Sequence, residues 1–421
     1  MRVLMLVPQV PYPPRQGAAI RNYHFLRWLA ARHDVSLLAY GSDPEAPAHL
    51  RDLCAEVAVV SPGRRTTGTR LRDLVASGLP DLALRLYSPA LAAELERRLA
   101  GSRFDVVQVE CLETSLAWLR VRRRAALGAQ APRAIFDDHN AEYALQWRAF
   151  ANDLGKPPRW PAAAYSLLQS AKLRRYERLL CSMAERVVAV SHEDAAALRR
   201  LGLRDTPAVI PNGVDCSYFA FRAVEPCPPS QRILFTGAMG YRPNVDAVVW
   251  FATRVLPLVR RDVPDATFVI VGANPAPAVR RLTSEPGVVV TGAVEDVRPY
   301  LAGCGAFVVP LRVGGGTRLK VLEAMAAGVP LVSTTLGCSG IAAEPGRHYL
   351  RADEPRHIAS SLADVLLGRV DCSRMLAEAR RLVEERYEWS QVCRGLDAVY
   401  ASLGGEPGLP SAGRPEMASG G

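Results

Sequence analysis

The segment Val308–Met325 (VVPLRVGGGTRLKVLEAM) gathers the residue types that handle phosphate: a β-branched run, the glycines Gly314, Gly315 and Gly316, Thr317 able to cap, then a helical pattern. Glycines let a backbone approach a ligand closely, and a helix start presents unpaired N–H groups at the positive end of its dipole. Arg318 and Lys320 add formal charge there. An ordinary Gly-rich βα turn reads the same way, and the Lys-Ser/Thr pair of a P-loop is missing. Glu323 follows among Leu322, Ala324 and Met325. It is either a solvated helix-face acid or a carboxylate facing the core, which needs hydroxyl partners such as a ribose diol. A second cluster, Asp137–Glu142 (DDHNAE), follows a strand-like run and offers His139, with Asn140 and Glu142 beside it, to hydroxyl chemistry; the bland reading is a capping loop. A third, Pro11–Gly17 (PYPPRQG), carries Arg15 and sets Gly17 at the opening of a helical pattern.

Loops of this kind need strands to carry them. Short β-branched runs alternate with amphipathic stretches throughout, the pattern of βαβ units and parallel sheets. The runs Val3–Val7, Val35–Ala39, Val57–Val60, Val106–Glu110, Ala134–Phe136, Val187–Val190 and Ala208–Ile210 make a first series. Ile233–Thr236, Thr267–Val271, Val288–Thr291, Ala306–Val309 and Leu331–Ser333 make a second, after the Pro-rich Glu225–Ser230. The expectation is an α/β chain of two Rossmann-like domains facing a central cleft, residues 1–215 and 230–388. A helix over 389–403 packs back on the first domain, and a disordered Gly/Pro/Ser-rich tail covers 404–421. Ligands of open α/β sheets sit at the carboxyl ends of strands, where all three clusters fall.

A chain of 421 residues, 49% apolar and 22% charged, suits two soluble domains. The opening MRVLMLVP is too short for a signal peptide, and no apolar run reaches the roughly 18 residues of a membrane span, which reads as a cytoplasmic protein. Nine cysteines without CxxC spacing argue against a disulfide framework or a zinc knuckle. The formal charge of +10 suits a phosphorylated substrate or an anionic membrane surface; without a Lys/Arg tract, nucleic acid is not expected. Lysine occurs only at Lys156, Lys172 and Lys320 among 52 basic residues, so Lys320 stands where arginine is the default.

Gly314–Ser333 (GGGTRLKVLEAMAAGVPLVS) resembles the donor-binding segment of family 4 retaining glycosyltransferases of the GT-B fold, usually E-G-F-G-L-P-x-L-E-A-M-A-x-G-x-P-V-V. Val188–Ser191 (VAVS), Val209–Asp215 (VIPNGVD), Ile233–Gly237 (ILFTG) and Phe268–Gly272 (FVIVG) agree in the same order, so the resemblance spans Met1 to about Leu403. It implies transfer of a sugar from a nucleotide-sugar donor to a hydroxyl of a glycan or lipid-linked acceptor with retention of configuration, as in bacterial exopolysaccharide assembly. Glu323 then holds the donor ribose, and His139 sits beside the donor sugar with a catalytic contribution. Gly17, Arg242, Arg318 and Lys320 serve the diphosphate, and the backbone of Gly315, Gly316 and Thr317 serves sugar or diphosphate. The family's first motif glutamate falls on Gly315, and its usual basic pair is absent from Gly237–Asp246 (GAMGYRPNVD). No Asp-x-Asp pair occurs, so neither a metal nor any cofactor is expected, and basic side chains with helix dipoles would neutralise the leaving group.

The rival readings are a non-catalytic sugar-nucleotide-binding scaffold, suggested by Gly315, and a sugar-nucleotide epimerase of GT-B type. A dehydrogenase lacks its G-x-G-x-x-G after the first strand. Finally, Leu173, Tyr176, Leu180 and Met183 recur at helical spacing beside Arg174, Arg175 and Arg178. Such a stripe is core packing with a solvated basic face, or a peripheral contact with an anionic membrane.

Overall fold

The computed structural model describes residues 1–14, 17–43, 45, 47–124, 131–221, 230–314 and 318–404. Gly315, Gly316, Thr317 and Arg15, together with most of the Pro-rich stretch and the tail after Gly404, lie outside the described residues. The chain divides into two compact units: Met1–Ile210 with the chain from Cys393 on, and Pro211–Val392.

The first unit is built on β1 (Arg2–Val7), β2 (Asp34–Tyr40), β3 (Glu56–Val60), β4 (Val106–Glu110), β5 (Arg133–Asp138), β6 (Arg186–Ala189) and β7 (Ala208–Val209). They form one sheet in the order β3-β2-β1-β4-β5-β6-β7, each pair parallel. Helices α1 (Gly17–Ala30), α2 (Thr67–Ala76), α3 (Cys111–Arg124), α4 (Glu142–Leu154), α5 (Trp160–Met183) and α6 (His192–Arg199) join or flank the strands. In the second unit, β8 (Arg232–Thr236), β9 (Thr267–Val271), β10 (Val288–Gly292), β11 (Ala306–Val309), β12 (Leu331–Ser333) and β13 (Leu350–Arg351) follow the order β10-β9-β8-β11-β12-β13, again parallel. Its helices α7 (Arg242–Trp250) and α8 (Leu319–Ala326) follow β8 and β11, and α9 (Trp389–Ala401) ends the described chain.

Both sheets are doubly wound Rossmann sheets, and the expected strands lie within two residues of the observed ones. The short β13 was not expected, because two residues carry no periodicity. Strands covered on both faces read as unbroken apolar runs, and Val3–Val7 is fully buried. In each sheet the chain reverses direction at one place: between β1 and β4 in the first, and between β8 and β11 in the second. These switch points are where such sheets bind ligands.

The stripe on α5 belongs to the core. Leu173, Tyr176 and Leu180 are buried in the cluster that contains Leu6, Val109 and Phe136, and Met183 packs against it. It is not a membrane-facing surface.

At the carboxyl ends of β8 and β9 two glycines meet. Gly237 and Gly272 have φ of 146° and 157°, and a Cβ on Gly272 would stand 1.7 Å from the Gly237 carbonyl oxygen. Only a bare backbone fits both the torsion and the contact. Gly272→Ala is expected to destabilise the second unit by roughly 2–4 kcal/mol, read as a lowered midpoint in urea unfolding.

Candidate functional site

In the second unit the site forms where β8 and β11 end. Arg318 caps α8, and its guanidinium lies across Gly314, whose φ of 124° only glycine adopts readily. One turn into α8, Lys320 reaches back across the switch point. Its ammonium is 2.9 Å from Asn244 Oδ1, 3.8 Å from the Phe235 ring centroid, and against Gly237, where a Cβ would come within 2.7 Å of Nζ. Asn244 is itself buried and donates to the Ala238 carbonyl oxygen at 3.0 Å. A single lysine therefore ties the start of α8 to the turn before α7. Arg242, at the first position of α7, is exposed at that helix start.

Burial and the charge of Arg318 push Lys320 down to about 7, with Glu323 pulling in the other direction. Burial pushes the Glu323 carboxyl up to about 7, partly offset by Lys320. The site thus holds two groups close to losing their charges, and a bound anion and a hydroxyl pair would favour the charged forms. Tyr218 and Arg298 border this region: the guanidinium stacks 3.9 Å from the Tyr218 ring centroid, Asp296 holds both, and Tyr218 feels the Glu323 charge.

In the first unit β4, β5 and α1 bring together a buried polar network. Arg21 donates from Nε and Nη2 to the two oxygens of Asp137 at 2.8 and 3.0 Å, both side chains fully enclosed. His139 Nε2 lies 3.0 Å from Glu110 Oε2, and Glu110 Oε1 accepts from Gln108 Nε2 at 2.5 Å. Gln108 accepts in turn from the Tyr400 hydroxyl of α9 at 2.6 Å. Burial, then the neighbouring Asp137, raises the Glu110 carboxyl, with His139 and Arg21 pulling it back. The other imidazole nitrogen, Nδ1, is 3.1 Å from Cys111 Sγ. Cys111 turns β4 directly into α3 with φ of 65°, a costly conformation for a residue with a Cβ.

Both ring nitrogens of His139 are therefore engaged. A ligand hydroxyl reaches the imidazole only by displacing a partner, and the thiol, a weak donor, is the cheaper one to displace. Glu110, Asp137 and His139 also place three metal-ligand atoms within 4.8 Å of one another. Yet Arg21 engages both Asp137 oxygens and supplies the countercharge a cation would bring, so the donor set does not suit a metal.

Behind the loop lies a second acidic group. Asp138 is buried with Oδ2 unpartnered, and burial with the charges of Glu177 and Glu142 raises it far above the usual range. Burial, then Glu113, pushes Glu142 up to about 7. Glu177 accepts from the backbone N–H groups of Glu142 and Tyr143 at 2.6 and 3.1 Å, capping α4 from a different helix. Gly17 is the first residue of α1.

Of the residues expected from sequence, Arg318, Lys320 and Glu323 share the α8 start, Arg242 opens α7, and Gly17 and His139 stand at the carboxyl-end loops of the first sheet. Sequence reasoning missed Asn244, Glu110, Arg21 and the Tyr218–Arg298 pair. Glu110 alone left a signal, an acid ending a buried β-branched run.

The family model "Glycosyltransferase Family 4" matches residues 15–218, and "Glycosyl transferases group 1" matches residues 230–367. The chain belongs to the family 4 glycosyltransferases of GT-B fold. This glycosyltransferase is 28% identical over 214 residues to the Mycobacterium tuberculosis GDP-mannose-dependent alpha-(1-6)-phosphatidylinositol monomannoside mannosyltransferase, covering 44% of this chain and 54% of that one. It thus spans about half the length of that relative. Among solved structures it resembles a sucrose-phosphate synthase from Thermosynechococcus elongatus, with a TM-score of 0.69 at 14% identity over 96% and 99% of the two chains. It also resembles Anabaena HepE in complex with UDP and glucose, with a TM-score of 0.64 at 16% identity over 96% and 100%. At such identities these likenesses establish the fold.

The raised Glu323 carboxyl yields a stability prediction. Its folded value, about 7, exceeds the ordinary 4.5, so the folded state holds the proton more tightly. Stability contributed by this group is full below pH 4.5 and is lost as pH rises through 7. Glu323→Gln is expected to melt roughly 2–6 °C above the parent protein at pH 8, with the gap closing below pH 5. Scanning calorimetry of the unliganded protein at the two pH values measures it.

Proposed function

We propose that the chain moves a sugar from a nucleotide-sugar donor to a hydroxyl of a glycan or lipid-linked acceptor, retaining anomeric configuration, in bacterial exopolysaccharide or cell-surface glycan synthesis. One observation carries the donor half: Lys320, Arg318 and Glu323 gather at a glycine-bounded helix start on the switch point of the second sheet. Phosphate oxygens take the helix N–H groups, Arg318, Lys320 and Arg242, and the ribose hydroxyls donate to Glu323. The backbone N–H groups of Gly315, Gly316 and Thr317, which lie outside the described residues, and Gly17 at the start of α1 are further proposed contacts for sugar or diphosphate. The planar Tyr218–Arg298 pair beside Glu323 suits a nucleobase. Anabaena HepE was solved with UDP and the mycobacterial relative is named for GDP-mannose, so both bases are candidates.

On this reading the leaving diphosphate is neutralised by fixed cations and helix dipoles, with no metal or other cofactor. Loss of the diphosphate breaks the anomeric C–O bond, and the acceptor hydroxyl enters on the same face, handing its proton to the departing phosphate. His139, held from behind by Glu110, positions the transferred sugar by exchanging its Cys111 contact for a sugar hydroxyl. Asn140 and Glu142 border the same loop.

Thermal stabilisation across UDP, GDP, ADP and their sugar conjugates tests the donor site. One nucleotide should raise Tm, and Glu323→Ala should abolish the shift; no shift with any nucleotide overturns the donor reading. The pH dependence is also specified. Binding needs Glu323 ionised and Lys320 protonated, and burial brings both to about 7. Affinity should therefore peak near neutrality, with the acid limb flattened in Glu323→Gln and the alkaline limb flattened in Lys320→Met. Calorimetric titration from pH 5.5 to 9 reads both limbs, roughly a ten-fold loss per pH unit on each.

A further inference from the structure

The hairpin of α4 and α5 is inside out. The only fully buried side chain of α4 is Asp153, while Trp147 and Leu154 are 53% and 55% exposed. Along α5 the character changes half-way. From Leu173 on, the inner face is mainly Leu173, Tyr176 and Leu180, as a core helix requires. Before it, the inner face is Ala163, Ser166, Gln169 and Ser170, and Trp160, Tyr165, Leu167 and Leu168 point outward. At 100° per residue, Trp160, Ala164, Leu167 and Leu168 fall on one contiguous arc opposite the buried one. Two of the inner polar groups have partners: Gln169 accepts from the Asp81 N–H at 2.9 Å, and Ser170 donates to the Tyr143 carbonyl oxygen at 2.8 Å. The inversion is therefore stable as built, with its large apolar side chains left outside.

A neighbouring helix enlarges the same surface. Lys172 donates to the carbonyl oxygens of Asp73 and Leu74 at 3.4 and 2.7 Å, which ties α2 to α5 next to Leu168. Helix α2 has no fully buried residue, and its Leu71 and Val75 are 66% and 84% exposed. Exposed apolar side chains gathered on neighbouring helices mark a contact surface suited to an apolar occupant.

Charge selects the occupant. Between Trp147 and Leu168 the exposed charged residues are Arg148, Lys156 and Arg159, all cationic; the one acid, Asp153, is buried and faces Arg159 at 3.5 Å. On α2 the exposed charges are Arg70 and Arg72, and the acid Asp73 is held by Arg65. A second copy of the chain would bring these cations against their like. An anionic bilayer offers headgroup phosphates to the cations and acyl chains to the leucines, and tryptophan and tyrosine favour that boundary.

We propose that the outer face of the α4–α5 hairpin, extended by α2, docks on an anionic lipid surface. No described helix is long and apolar enough to cross a membrane, so the contact is peripheral. This surface is separate from the donor site and does not depend on the transferase reading.

Co-sedimentation of the full chain with vesicles of phosphatidylcholine alone, or with phosphatidylglycerol added, at low and high salt, tests it. Binding is expected to the anionic vesicles and to weaken as salt rises. Trp160→Ser/Leu167→Ser/Leu168→Ser should lower partitioning at least about ten-fold, and Arg148→Glu/Lys156→Glu by a similar factor. All five positions are exposed, so the melting temperature should stay within a few degrees of the parent. Retention of the wild type in the supernatant with both vesicles overturns the proposal, as does equal binding to neutral vesicles. A dimer in light scattering that the triple serine variant dissociates overturns it in favour of self-association. Nucleotide-induced stabilisation of the serine variant, expected to match the parent, separates failure of this surface from failure of the donor site.

Discussion

Parallel strands covered on both faces leave charged groups almost nowhere to go but the strand ends, and there each must find a partner within the protein or in a ligand. The Arg21–Asp137 pair is the clearest case. Asp137 sits in the last turn of β5 among fully buried neighbours, and its charge is tolerable because a guanidinium from α1 engages both its oxygens. Breaking such a pair from one side leaves an uncompensated buried ion, a cost of about 3–5 kcal/mol. That cost fixes α1 against β5 and so fixes the loop carrying His139. Glu110, one strand over, relies on Gln108, Tyr400 and His139 in the same way, which makes the last helix part of the support of the switch point.

The second unit meets the same constraint with a different result. Lys320 and Glu323 share a turn of α8, yet no hydrogen bond joins their side chains; Lys320 leans on Asn244 and the Phe235 ring instead. Both groups are pushed toward neutrality by burial. The cost of such burial is tolerated where a ligand removes it, because interactions completed only on binding add to affinity. The fully satisfied network of the first unit reads as scaffold with one exchangeable contact. The strained pair of the second reads as a binding site awaiting its anion.

Much of this was legible in the sequence because it depends on local pattern. Alternating β-branched runs and helical stretches reveal parallel sheets, and glycines before a helix start reveal where a backbone can approach phosphate. What stayed hidden depends on residues far apart in the chain. Asn244 meets Lys320 across 76 positions and Arg21 meets Asp137 across 116, and no periodicity marks either pair. The α5 stripe shows the limit within one helix. Leu173, Tyr176 and Leu180 repeat as a core face does and are core, while the outward Trp160, Leu167 and Leu168 repeat just as well. Which arc is covered depends on what the rest of the fold lays against it.

The two units also differ in the sign of what they leave near their loops, and the difference follows the chemistry. Around the second sheet's switch point stand Arg318, Lys320 and Arg242, suited to the negative charge that grows on a departing diphosphate. Around the His139 loop stand Asp138, Glu142, Glu177 and Asp194; burial with the charges of Glu177 and Glu142 holds Asp138 toward its neutral form, and burial with the charge of Glu113 does the same for Glu142. Neutral or ionised, a carboxyl can exchange hydrogen bonds with a sugar hydroxyl, donating in one state and accepting in the other. On the proposed function, such a loop serves hydroxyls rather than phosphates. With glycine at 315, where the family resemblance leads one to expect a carboxylate, the proposed function assigns the choice of sugar to the acidic loop of the first unit. Changes of sugar specificity within close relatives of this chain should therefore track residues 137–142 before they track the glycine run.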